Sequence, residues 1–120
     1  MDAATEVALA NDKVIDITTT GRKSGEAKRI EIWFHRHDGR YFITGTPGRR
    51  SWYANLVAHP EFTFHLKTSH EADLPATARA VTEAGERRAL LEPLVAGINT
   101  ETPLDEWVAG APLVEVTFRA

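Results

Sequence analysis

Cysteine is absent from the 120 residues of this chain, which excludes disulfides, thiolate nucleophiles and cysteine-ligated metal sites. The sequence also lacks an apolar run near the roughly 18–20 residues that span a bilayer. Its first residues lack the basic and apolar regions of a signal peptide. These absences predict a single cytoplasmic domain over residues 1–120 with no membrane span.

Basic residues are outnumbered by acidic ones, and the net charge of −3 argues against a nucleic-acid binder. The charge is unevenly distributed along the chain. Residues 21–50 carry a net charge of +5, and the rest of the chain carries −8. This distribution predicts a site for a compact anion within residues 21–50.

Alternating and β-branched segments predict a mainly β (α+β) fold with short peripheral helices. Six strands are expected, over residues 14–20, 28–36, 40–45, 62–66, 72–81 and 113–118. Asp38-Gly39 predicts a hairpin between the second and third strands. Residues 1–13 are expected to form a frayed helical turn or a loose arm. Six strands joined mainly by hairpins are typical of a closed or partly closed antiparallel barrel.

The Gly21–Gly25 turn is the first candidate binding element. It brings backbone N–H groups, the Ser24 hydroxyl and the cations of Arg22 and Lys23 into one bend. Turns of this kind hold phosphate or carboxylate groups.

A second candidate element runs from Gly45 through the basic Arg49 and Arg50 into a helix that Ser51 is expected to cap. The N-terminus of that helix favours anions. At its start, Trp52 and Tyr53 are suited to stacking on a planar ring, and Asn55 is suited to contacting a polar edge. If strand 28–36 pairs with both of its neighbours, the two elements meet at its Lys28 end.

No metal site is predicted. The five histidines include no HExxH-like pair, and no paired carboxylates accompany them at helical spacing. Surface or cleft histidines are the expected interpretation.

The two elements together are specific enough to compare with a known family. The run Ile17-Thr18-Thr19-Thr20-Gly21-Arg22-Lys23-Ser24-Gly25, followed by Trp52-Tyr53-Ala54-Asn55-Leu56 and His59-Pro60-Glu61, resembles the deazaflavin-dependent nitroreductase family. The resemblance covers nearly everything after Val14. It implies a split β-barrel that binds the deazaflavin coenzyme F-420, whose reduced form gives a hydride to nitroaromatics or quinones.

The resemblance also implies which residues bind the coenzyme. The phosphate and oligoglutamate tail would be held by Arg22, Lys23, Ser24, Gly25 and Lys28. The cleft would be lined by Ile32 and Trp33. The ring would be flanked by Gly45, Thr46, Gly48 and residues 51–55, among them Ser51, Trp52 and Asn55. We add Arg49 and Arg50 to the coenzyme-binding residues because they lie in the same basic loop. We predict Tyr53 as the catalytic residue that orients the acceptor.

The acceptor is expected to be a small electrophile of the quinone, nitroaromatic or enone class. An FMN-dependent reductase on the same fold is an alternative. So is a non-catalytic carrier of the deazaflavin or of a fatty acid, because the family's nitroreductases have a longer N-terminal segment and tyrosines where this chain has residues 99–104. A homodimer is left open.

Overall fold

The computed structural model describes residues 1–119, which form four helices and seven strands. In chain order these are α1 (Ala3–Asn11), β1 (Val14–Thr20), β2 (Ala27–Trp33), β3 (His35–His37), β4 (Arg40–Thr44), α2 (Ser51–Ala58), β5 (Glu61–Leu66), β6 (Ala72–Ala80), α3 (Ala84–Ala96), α4 (Leu104–Gly110) and β7 (Leu113–Phe118). The strands form one antiparallel sheet in the order β2-β1-β5-β6-β7-β4-β3. The predicted mainly β fold with short helices is confirmed.

The predicted strand over residues 28–36 is two strands, so the expected count of six was one too low for the described residues. Phe34 separates β2 from β3 because its ring enters the core, where it is 1% exposed and lies edge-on to Phe64 at 5.1 Å between ring centroids. Its backbone N–H donates to the carbonyl of Lys13 at 2.9 Å. β2 therefore pairs with β1, and β3 pairs with β4.

This break explains why the sheet curls into a split barrel. β2 and β3 follow each other in the chain, yet they occupy the two ends of the strand order. The sheet must therefore bend until its ends meet at Phe34. Away from that junction β2 pairs only with β1 among the described strands, so the barrel is open beside β2.

The N-terminal residues form a packed helix, and the expectation of a loose arm was wrong. The Asp2 side chain caps α1 by accepting from Thr5 N–H at 2.7 Å, and Ala8 and Leu9 are buried in the core. The Arg36 guanidinium donates to the carbonyl of Leu9 at 2.7 Å and to that of Asp12, which fixes the C-terminal end of the helix.

The buried side chains form two clusters. The larger one fills the barrel, and the smaller one packs α3 and α4 against the start of β7 around the buried Trp107. Within residues 1–119, none of the helices is both long enough and apolar enough to traverse a bilayer.

Candidate functional site

A cavity of about 430 Å³ lies where the β1–β2 turn, the Lys28 end of β2 and the first turn of α2 come together. We call it the turn–helix cavity. Its walls are Thr19, Gly21, Arg22, Lys23, Ser24, Lys28, Ile30, Ser51, Trp52 and Asn55. The cavity thus combines seven of the predicted site residues with Gly21, which begins the predicted turn, and with Thr19 and Ile30, which were not predicted as site residues.

Asn55 joins the two predicted elements directly. Its side-chain carbonyl accepts from the backbone N–H of Arg22 at 3.0 Å, and its amide nitrogen donates to the Thr19 hydroxyl at 3.2 Å. Asn55 is 5% exposed and Thr19 is 3% exposed, so both hydrogen bonds are shielded from water. Asn55 therefore positions α2 against the β1–β2 turn.

The turn owes its shape to its two glycines. The Gly25 N–H donates to the Gly21 carbonyl at 2.9 Å, and Gly25 adopts a φ of 71°, a conformation that favours glycine. A Cβ on Gly21 would lie 2.5 Å from the Ser24 hydroxyl oxygen, so a side chain there would displace Ser24. Gly25 shapes the turn but is not among the residues that line the cavity.

The basic side chains around this cavity are not closely paired with carboxylates of the protein. Within residues 1–119, Arg22 and Lys23 form no salt bridge, and the nearest carboxylate to Lys28 is that of the exposed Glu26 at 3.9 Å. Other basic residues are closely paired, namely Arg29, Arg40, Lys67, Arg79, Arg88 and Arg119. The cavity therefore retains positive charge that is available to an anion.

The first turn of α2 adds to this character. Arg50 occupies the N-cap position, and no side chain caps the helix among the described residues, so the predicted Ser51 cap was wrong. The uncapped N–H groups leave the positive end of the helix open where Ser51 enters the cavity. The apolar part of the lining consists of Ile30, 37% exposed, and Trp52, 8% exposed.

Four other predicted site residues line a second cavity of about 500 Å³ on the opposite face of α2. They are Gly48, Arg49, Arg50 and Tyr53. Helical periodicity separates Tyr53 from the first cavity, because Ser51, Trp52 and Asn55 lie on one face of α2 while Tyr53 projects from the other. The other three residues belong to the loop before the helix. The Trp52 and Tyr53 rings are nonetheless adjacent, with centroids 6.1 Å apart.

The remaining predicted residues lie outside both cavities. Trp33, 55% exposed, lines a third cavity of about 410 Å³ beside the C-terminal end of α3, and Ile32 packs against the barrel core. Thr46 accepts two hydrogen bonds from the Arg50 guanidinium, at 3.0 Å and 3.1 Å, and Gly45 lies beside the same guanidinium. These two residues shape the loop before α2.

The missed lining residues are Thr19 and Ile30. Both had a signal in the sequence. Ile30 shares a face of β2 with Lys28 by the two-residue period of a strand, and Thr19 continues the inward face of β1 that begins at Ile15 and Ile17.

Three side chains that are joined by hydrogen bonds lie on the outer face of the sheet, away from the cavity. The His65 ring bonds to the Thr18 hydroxyl through Nε2 and to the Asp73 carboxylate through Nδ1, each at 2.7 Å. Hydrogen bonding to His65 lowers the pKa of Asp73 below its ordinary value. The three residues belong to adjacent strands β1, β5 and β6, and we assign them to sheet stability.

Comparison with known proteins adds sequence and fold relatives to this geometry. A family model described as F420H(2)-dependent quinone reductase matches residues 2–103. The chain is similar in fold to a solved structure described as F420 reductase, with a TM-score of 0.70 and 19% identity over 100% of this chain and 96% of that one. A structure described as F420-H2 dependent reductase (FDR-A) has a TM-score of 0.64 and 22% identity, over 88% and 95% of the two chains. Another, described as a domain-swapped dimer, has a TM-score of 0.62 and 23% identity, over 96% and 87%.

Proposed function

From the premise that the chain belongs to the F420H(2)-dependent quinone reductase family, we propose that it reduces a quinone with coenzyme F-420 bound in the turn–helix cavity. Family membership makes the protein an oxidoreductase and confirms the predicted coenzyme. The acceptor class and the residues that hold the coenzyme are our proposal. Its main support is a cavity that joins weakly paired cations to an apolar wall.

The residues of the cavity fit the two chemical parts of the coenzyme. Its phosphate and carboxylate groups match Arg22, Lys23 and Lys28, which are exposed around the β1–β2 turn. Its planar ring matches the apolar surface of Ile30 and Trp52. When bound, the reduced coenzyme supplies the hydride, and the protein supplies binding, orientation and electrostatics.

Titration of the coenzyme against its tail-free core tests this assignment. We expect fluorescence quenching to show tighter binding of F-420 than of the core, with a difference that shrinks as salt rises, because much of the affinity comes from the anionic tail. Equal affinity at every salt concentration would rule out the basic turn as the tail site. Tighter binding of FMN than of F-420 would favour the alternative reductase.

Oxidation of the reduced coenzyme by a panel of acceptors tests the quinone assignment. We expect turnover with a simple naphthoquinone to exceed that with a nitroaromatic or an enone. Coenzyme binding without turnover on any acceptor would favour the carrier. A fatty acid retained through purification, seen by native mass spectrometry, would strengthen that alternative.

Tyr53 stays a predicted orienting donor for the acceptor. Its ring is adjacent to Trp52, which supports the role, although it lines the second cavity. Tyr53→Phe should lower quinone turnover while coenzyme affinity stays within about threefold, since one neutral hydrogen bond is worth only about 0.5–1.5 kcal/mol. Unchanged turnover, with hydride transfer limiting the rate, would leave solvent as the proton source.

We also propose a homodimer that forms through the free edge of β2. Among the described strands, β2 pairs only with β1, and it exposes Ile30 and Trp33. If two copies of β2 align antiparallel about Ile30, Arg29 of each copy lies opposite Glu31 of the other, in addition to the pairs that Arg29 forms with Asp16 and Glu31 with Lys67 in its own chain. This charge complementarity supports a second copy of this chain as the partner.

A further inference from the structure

The second cavity, bounded by the loop before α2, the start of α3 and the segment after α4, carries an unusual charge. We call it the arginine cavity, because Arg49, Arg50 and Arg87 line it together with Tyr53. Aspartate and glutamate are absent from the described residues that line it. Like charges gathered in this way repel one another unless an anion joins them.

Two of the three arginines are held in place by carbonyl groups. Arg87 is 8% exposed and donates to the carbonyls of Trp107, Val108 and Ala111 at the end of α4, and to that of Val81. Arg50 donates to Thr46 and to the backbone carbonyl of Arg49. Neither forms a salt bridge within residues 1–119. Carbonyls orient a guanidinium but leave its full charge in the cavity.

The third arginine differs, because its guanidinium is not held. Arg49 is exposed, and among the described residues its side chain has neither a hydrogen bond nor a salt bridge. It therefore stands at the mouth of a cavity whose fixed charge is already positive. A carboxylate or phosphate would be bound by the unpaired Arg49 on one side and by the carbonyl-bound arginines on the other.

We propose that the arginine cavity is a second anion site, which binds carboxylate or phosphate groups. Two sources can supply this chemistry, the distal glutamates of the coenzyme tail or a separate small anion. The first source rests on the proposed function. It is within reach because adjacent residues at the N-terminal end of α2 line the two cavities, Ser51 the first and Arg50 the second. Four extended residues, at about 3.3–3.6 Å each, exceed the roughly 10–12 Å diameter of a helix with its side chains.

Coenzyme molecules with short and long tails separate the two sources. We would titrate F-420 bearing one glutamate, and F-420 bearing several, into the wild type, Arg49→Gln and the control Arg88→Gln. Arg88 carries the same charge but lines neither cavity. If the tail is the source, Arg49→Gln weakens the long-tailed form by about threefold or more and leaves the one-glutamate form unchanged, in line with one exposed charge contact. Arg88→Gln should change neither affinity.

Citrate, a small polycarboxylate, tests the other source without the coenzyme. If a free anion binds, citrate raises the thermal midpoint of the wild type and of Arg88→Gln, and it raises that of Arg49→Gln less at the same citrate concentration. Tail length then has no effect on coenzyme affinity. Absence of both the tail-length effect and the citrate response overturns the second site, whether Arg49→Gln weakens both coenzyme forms equally or neither. If F-420 does not bind at all, the proposed function fails, and the citrate response alone decides the second site.

Discussion

Lys23 and Asn55 line the same cavity, but they differ in exposure and in hydrogen bonding, and we expect them to have different roles. Lys23 is exposed and unpaired among the described residues, so its charge is free to meet a ligand. Asn55 is buried, and both ends of its amide are already bonded within the protein. On the proposed function, we expect Lys23 to contribute binding energy and Asn55 to hold the shape of the cavity.

Lys23→Ala should therefore lower coenzyme affinity without lowering stability. Loss of a charge-assisted hydrogen bond is worth roughly 1.5–3 kcal/mol, or about tenfold or more in the dissociation constant. The matched control is Lys13→Ala, which removes another exposed lysine that lines the third cavity instead. Fluorescence titration and urea unfolding measure the two effects. A destabilised protein with intact affinity would identify the turn as purely structural.

Asn55→Ala should show the opposite balance. It leaves the Arg22 N–H and the Thr19 hydroxyl without their partner, which should reduce the free energy of unfolding by about 1–3 kcal/mol. Val57→Ala on the exposed face of the same helix is the control. In a double-mutant cycle with Thr19→Val, the two losses should be less than additive, because the residues share a hydrogen bond. Full additivity would contradict this link.

At the level of secondary-structure elements, α3 and α4 are joined by one side chain. The Arg87 guanidinium, on α3, donates to three carbonyls at the end of α4, at 2.8 Å, 3.1 Å and 2.5 Å. The negative end of the α4 dipole stabilises this buried cation in place of a carboxylate. Because Arg87 also donates to the carbonyl of Val81, directly after β6, it links the end of α4 to the sheet.

Arg87→Met should reduce the free energy of unfolding by roughly 3 kcal/mol, since several carbonyls lose a charged donor at once. Arg88→Met is the neighbouring control, because Arg88 is exposed and pairs only with Asp105 at 2.6 Å among the described residues. Chemical denaturation of both variants compares them directly. Similar stability of the two variants would show that water can take over the hydrogen bonds of Arg87 to the carbonyls with little loss in the free energy of unfolding.

Acid sensitivity should arise where β4, β6 and β7 meet. The Arg40 guanidinium, helped by Arg79, lowers the pKa of Glu115 from 4.5 to about 2. A depressed carboxyl pKa contributes stability that is fully present above pH 4.5 and is lost as the pH falls toward about 2.

Glu115→Gln should therefore be less stable than the wild type at pH 7 and show a flatter decline between pH 4.5 and pH 2. Urea midpoints measured across that range give the comparison. Glu106→Gln, an exposed carboxylate of α4 with no ion pair in the described part of the chain, is the control. An unchanged slope in Glu115→Gln would assign the acid response to other carboxylates.

Strand alternation made most of the sheet predictable, but the break at Phe34 could not be read from the sequence. Ile30, Ile32 and Phe34 continue one alternating pattern, and only tertiary packing of Phe34 against Phe64 shows where the strand divides. Packing likewise orders α1, whose apolar residues are mostly small alanines and give no clear sign of burial in the sequence. Local pattern is a weak guide wherever a single side chain enters a distant core.

The site was predictable in part for a related reason. The two predicted elements do meet, through the hydrogen bonds of Asn55 at the open side of the barrel. They do not meet by the predicted route, in which one strand over residues 28–36 pairs with both of its neighbours, because β2 does not pair with β4. The side on which Tyr53 lies depends on the rotation of α2, and the side of Arg49 and Arg50 depends on the path of the loop before it. The sequence leaves both undetermined.

For the whole molecule, charge reversal tests the proposed edge-to-edge dimer. Glu31→Arg would place like charges opposite Arg29 of the second copy, so we expect a monomer by light scattering where the wild type is a dimer. Because Glu31 pairs with Lys67 within its own chain, urea unfolding of Glu31→Arg checks that the variant remains folded. A wild-type monomer at high concentration, or a dimer in both proteins, would remove β2 as the interface.

The three tryptophans lie in different parts of the molecule, so their intrinsic fluorescence should respond to different events. Trp107 is 1% exposed in the smaller cluster, Trp52 lines the turn–helix cavity, and Trp33 is on the free β2 strand. Their emission should therefore report three events separately: unfolding, coenzyme entry and self-association. Proteins that keep one tryptophan and carry phenylalanine at the other two positions would give each event its own signal, without any attached dye.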